Sequence, residues 1–156
     1  MATPHEVKVV RMAIGYDLLS HSAISEALTA AGADKNNPDG NKGLAQMGTT
    51  LIEYFVGEIG YKIRASRGAL SLCSIYTIER LIHDEELVSQ IRSYVTTAEH
   101  RARIAKRNGI DQCIKYSLSG NRVPSVLAQA VSALISSLHI EVRSPDITRE
   151  AILRLG

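Results

Sequence analysis

The sequence predicts an all-α domain of about six or seven helices, and two observations carry that prediction. Apolar residues recur at helical spacing in almost every segment, while no alternating stretch of useful length marks a strand. Between those segments stand clusters of Gly, Pro, Asn and Asp, residues that end helices and build turns. No internal repeat is present, and 156 residues suit one domain, 1–156, with a buried core.

The elements follow in order. Ser20-His21-Ser22 supplies an N-cap for a helix through AISEALTAAG, with Gly32 placed to stop it. ADKNNPDGNKG reads as a loop. From Leu44 the apolar positions 44, 47, 51, 52, 55, 56 and 59 obey the i, i+3, i+4, i+7 rule. This predicts a core helix to about Ile63, roughly five turns long. Gly48 sits in the same stripe, where a missing side chain admits another backbone. SRGAL is a break, and SIYTIERLIHDEELVSQIRSYV supplies one helix or two.

In TTAEHRARIAKRNGIDQCI, Thr96 or Thr97 is the cap, Glu99 lies where the helix dipole favours an anion, and Gly109 follows the last turn. KYSLSGNRVPS is a second loop. Pro124-Ser125 opens VLAQAVSALISSLHIEV, which has little room for charge on any face. Ser144 or Asp146 caps a short terminal helix in SPDITREAILRLG.

Composition limits the function classes. The apolar share of 45% and charged share of 22% are ordinary for a globular protein, and the net charge of +2 permits nucleic acid without arguing for it. Aromatics at 4% provide few platforms for stacking single-stranded bases. Cys73 and Cys113 have no second Cys or His at ligand spacing, so both read as buried thiols in a reducing compartment. No apolar run approaches the ~20 residues that span a bilayer. MATPHEVKVVRMAIGYD lacks a signal-peptide core and carries Glu6 and Asp17, unlike a transit peptide. An intracellular protein is expected, cytoplasmic or mitochondrial, without membrane attachment or cofactor.

Three separated motifs then resemble a known family. Asn41-Lys42-Gly43-Leu44-Ala45-Gln46-Met47-Gly48-Thr49 matches a helix that reads roughly N-E-R-L-E-F-L-G-D in the ribonuclease III catalytic domain. Leu127-Ala128-Gln129-Ala130-Val131-Ser132-Ala133-Leu134-Ile135 matches a later L-A-D-x-x-E-A-L-I-G helix, and Arg103-Ile104-Ala105-Lys106 with Gly109 resembles the basic helix between them. The resemblance spans about residues 20 to 143. NNPDGN, residues 36 to 41, is similar to the preceding loop of small fungal members.

The resemblance implies a ribonuclease III-like endonuclease-domain fold, and its departures imply the loss of nuclease chemistry. Active members carry two acids at i and i+4 on the signature helix and two at i and i+3 on the late helix. Together these hold divalent metal that activates water against an RNA phosphodiester. The matching positions are Ala45, Thr49, Gln129 and Ser132, none of which carries a negative charge. Lys42 stands where a further acid is expected, and Glu85 in HDEEL matches the remaining one. Family members pair about a two-fold axis, which places Leu51, Tyr54, Phe55 and Glu58 near a partner. Inactive relatives serve as ribosome-associated or complex-forming subunits. No appended double-stranded RNA-binding domain is expected.

Other chemistry is poorly supported by the residues. The remaining acids are scattered, the five histidines show no H-x-x-x-H spacing, and no Ser or Cys has an identified base. The stripe Arg103, Lys106 and Arg107 either tracks phosphates of double-stranded RNA or is a solvated face that complements the helix dipole. The late helix is either a subunit contact or a central core helix. The main expectation is a catalytically silent ribonuclease III-like protein, acting as a homodimer or half of a heterodimer. A divergent metal-dependent endoribonuclease using Glu85 is the alternative from the enzyme class, and pure assembly without RNA is the third.

Overall fold

Proline at the first turn and a long apolar run make Pro124–Val142 (α5) the organising helix. Val123 enters it in extended conformation, and Arg143 leaves it in the left-handed region at φ 52°. Leu127, Ala128 and every residue from Ala130 to Leu138 are buried, which covers all sides of the helix. By length and hydropathy, 19 residues at 1.4, it would suit a bilayer, a length the sequence reading did not credit. In this fold its apolar faces are covered by other helices of the same chain, so it is a core helix.

The computed structural model describes residues 1–65, 93, 95–117 and 123–156; the helix or helices expected over 74–95 lie outside them but for 93 and 95, as do Cys73 and Glu85. Among the described residues there are six α-helices: α1 (Pro4–Ile14), α2 (His21–Ala27), α3 (Lys42–Ala65), α4 (Ala98–Arg107), α5 and α6 (Pro145–Leu155). A short 3-10 turn, Ile110–Gln112, follows α4. The all-α expectation holds, and α3 packs on α5 with α4, α2 and α6 around it.

The crossing of α3 and α5 depends on Gly48. A Cβ built there would lie 1.7 Å from the Ser132 carbonyl oxygen and 2.4 Å from its carbon, both backbone atoms. Glycine therefore lets two backbones meet, as the stripe position predicts. The small polar residues of α5 serve the same contact: Ser136 Oγ lies 2.7 Å from Leu44 O on α3 and 3.0 Å from Ala133 O. Such bonds offset the cost of burying a hydroxyl.

The loop before α3 is tied rather than free. Asn41 is fully buried, its amide Nδ2 donates to Ala27 O at 2.7 Å, and its backbone N–H donates to Thr29 O at 2.9 Å. Thr29 and Ala30 in turn run beside Lys115, with Ala30 N to Lys115 O at 3.0 Å and Lys115 N to Leu28 O at 2.9 Å. That pairing ends α2 at Ala27, one turn before Gly32. Gly32 instead turns the loop at φ 75°, its N–H reaching Pro38 O at 2.8 Å. Ser20 caps α2 through Ala23 N, and Glu141 from α5 accepts the Ser20 backbone N–H at 2.8 Å.

The sequence reading leaves out α1, treating the first residues only as a possible leader. Its signals are nonetheless local. Thr3 and Glu6 form a reciprocal capping box, Pro4 occupies the first turn and Gly15 closes the helix at φ 82°. Val7, Val10 and Ile14 form the buried stripe, packed against α2, the 3-10 turn and α6. Thr97 and Ser144 are the caps of α4 and α6, each chosen from the two expected residues.

Cys113 is 4% exposed beside the 3-10 turn. Burial pushes its thiol pKa up, and the negative charges of Glu6 and Asp111 add to the shift. In a Cys73→Ser background, Cys113 should stay inert to a disulfide-exchange reagent at pH 8 until the chain is unfolded. Native-state labelling as fast as in denaturant would contradict this packing.

Candidate functional site

Helical spacing places three sets of side chains around one cleft. From α3 come Lys42, Ala45, Gln46 and Thr49; from α4, Ala98 and Arg101; from α5, Ser125, Ala128 and Gln129. Each set follows i, i+3, i+4 or i+7 and so faces one way. The cleft has a volume of about 380 Å³. It lies where the first turns of α3, α4 and α5 meet.

Ala45, Thr49 and Gln129 thus share one cleft, and Ser132, fully buried, meets Thr49 of that lining. Thr49 Oγ1 lies 2.9 Å from Ala45 O, to which it donates, and 3.3 Å from Ser132 Oγ. Tertiary structure therefore brings together the four positions that the family motifs single out.

Arg101 is the residue the sequence reading missed. It is 9% exposed, and its Nη1 donates to Thr49 Oγ1 at 3.1 Å. Its Nε is buried without a hydrogen-bond partner. No carboxylate pairs with it among the described residues. Burial pushes the Arg101 guanidinium below its ordinary pKa, while the charge of Glu53, one turn beyond Thr49, acts the other way. The signal was present in the periodicity. Ala98, Ala102 and Ala105 mark the buried face of α4, and position 101 completes their i, i+3, i+4, i+7 stripe.

The other basic residues of α4 lie on its exposed side. Arg103 and Lys106 are exposed, while Arg107 donates through Nη2 to Leu155 O, satisfying the C-terminal end of α6. His100 Nε2 meets Gly156 O at 2.9 Å beside it. Arg107 therefore joins α4 to α6, a tertiary role the linear pattern does not reveal.

Of the residues expected near a partner, Phe55 is 2% exposed and sits in the chain's own core. Its ring meets Tyr54 edge-on at 5.2 Å between centroids, with the Arg149 guanidinium 5.8 Å from its centre. Glu58 pairs with Arg149 at 3.1 Å within the chain. Leu51 is half-buried, and Tyr54 is 62% exposed, the large side chain of this group that faces solvent.

Two solved structures of the nuclease domain of ribonuclease III from Campylobacter jejuni superpose on this chain. One gives a TM-score of 0.72 at 21% identity, covering 96% of this chain and 94% of the other. The second gives 0.71 at 21%, covering 95% and 91%. The fold is that of a ribonuclease III nuclease domain. The former structure is described for flexibility in the region involved in its dimer formation. No protein-family model and no curated protein matches the sequence.

On this ribonuclease III-like frame, the described lining does not suit a divalent cation. Mg²⁺ asks for carboxylate oxygens or phosphate, whereas the lining offers amides, hydroxyls, methyl groups and two cations, Lys42 and Arg101. Among the described residues no group of three or more His, Cys, Asp and Glu converges on any point.

Proposed function

We propose that this chain is a catalytically silent ribonuclease III-like subunit that pairs with a like domain and serves assembly or RNA contact rather than cleavage. One observation carries the reading: Ala45, Thr49, Gln129 and Ser132 are neutral, and Arg101 stands among them. Phosphodiester hydrolysis by this fold draws its nucleophile from metal-bound water. A neutral pocket with a buried guanidinium repels the ion that chemistry needs.

Pairing draws support from the frame and from Tyr54, whose exposed ring lies on the helix expected to face a partner. RNA contact draws support from exposed Arg103 and Lys106 on α4.

Purified protein incubated with long double-stranded RNA and Mg²⁺ or Mn²⁺ should leave the RNA intact. Metal-dependent cutting lost in Glu85→Ala would overturn the reading in favour of a divergent endoribonuclease. Sizing with light scattering should return twice the chain mass or a defined larger assembly. A gel shift that weakens steeply with salt would assign RNA contact, and its absence would leave assembly alone.

A further inference from the structure

Arg101 poses a problem that the neutral reading of the cleft does not solve. A guanidinium 9% exposed, bonded at Nη1 to a hydroxyl and without a partner at Nε, is costly to bury unless an anion completes it. Among the described residues the acid whose charge reaches it is Glu53, and neither a hydrogen bond nor an ion pair joins the two.

The surroundings favour an anion. The first turns of α3, α4 and α5 all contribute to the lining, and the first turns of α3 and α5 contain no acidic residue. Helix N-termini present unsatisfied N–H groups and a partial positive charge. Lys42 adds a full charge at the rim; its side chain is 58% exposed and lies 3.9 Å from Asp39, itself in solvent. Gln46, Gln129 and Ser125 supply neutral donors.

We propose that this cleft binds a phosphate group, an oxyanion held by Arg101 and Lys42 where the fold's carboxylates would hold a cation. Guanidinium matches phosphate geometry through paired N–H donors, and the unpartnered Nε is a donor of that kind. The shared chemistry is a tetrahedral phosphate, contributed either by an RNA backbone or by a free phosphate monoester. The inference rests on reading the cleft as non-nucleolytic, and its test is separate from RNA cleavage.

The test compares melting of the full chain in sodium phosphate and in sodium chloride at equal ionic strength and pH, for wild type, Arg101→Met and Lys42→Glu. A site with a dissociation constant of about 1 mM would raise the wild-type Tm by about 5–10 °C in 0.1 M phosphate. Phosphate also stabilises proteins by exclusion from their surface, so the reading is the increment that the variants lack. Lys42 is solvent-exposed, and Lys42→Glu keeps the comparison sound should Arg101→Met fold poorly.

Both variants should retain only the small general increment. A short duplex RNA that protects wild type but not Lys42→Glu, and competes with phosphate, would identify the backbone as source. Protection by inorganic phosphate and a mononucleotide but not by the duplex would identify a small ligand; either result upholds the site. Equal phosphate increments in wild type and both variants would overturn it. Cleavage of RNA would instead overturn the functional reading on which it rests.

Discussion

Gly48→Leu is expected to abolish the native crossing of α3 and α5. The first added atom alone would fall 1.7 Å from Ser132 O. Because the obstacle is helix backbone rather than a flexible side chain, relief requires the two longest described helices to separate. Ordinary overpacking costs about 1–3 kcal/mol. Prising apart a backbone contact in the core belongs to the exceptional class above about 4 kcal/mol, against a total stability of about 5–15 kcal/mol for a domain.

A Tm lower by more than about 10 °C, or no cooperative transition, is the expected result. Gly48→Ala should already show most of the loss. Gly43 offers the control, since a Cβ there meets nothing within 4 Å. Gly43→Ala should be neutral or slightly stabilising, because alanine loses less backbone entropy in a helix. A Gly48→Leu variant melting within about 2 °C of wild type would refute the crossing.

Phe55→Ala should be the next most damaging change. This is the chain's single Phe, and it is 2% exposed among Tyr54, His139 and Arg149. Truncating a buried Phe costs about 3–5 kcal/mol, which here corresponds to about 10 °C in Tm. The loss should be the same at low and high protein concentration, since the contacts lie within one chain. Tyr54→Ala should behave the other way, weakening association in sizing while changing the folding of the protomer little. A Phe55→Ala variant with an unchanged melt but altered mass would show that the ring serves a partner surface.

Much of this architecture is legible in local pattern. Caps are short-range chemistry, so Ser20, Thr97 and Ser144 are readable from a few neighbouring residues. The stripe from Leu44 onward predicts α3, and the near absence of charge in α5 predicts deep burial. The helix α1 is equally legible through Thr3, Pro4 and Glu6, since its capping box is local chemistry. Where α2 stops was not readable, because Thr29 and Ala30 are captured by Lys115, a residue distant in the chain.

The candidate site divides in the same way. The sequence alone determined which motif positions lack acids, since charge is a property of residue type. Their convergence in one cleft required the packing of α3 on α5, because helical spacing orients side chains but says nothing of which helix they will face. Arg101 shows the limit most sharply. Its place on the buried stripe of α4 follows from periodicity, yet only the packed structure decided that no carboxylate among the described residues would meet it. A charge is neutralised by what folding brings within a few ångströms, and that distance is set by tertiary contact rather than by order along the chain.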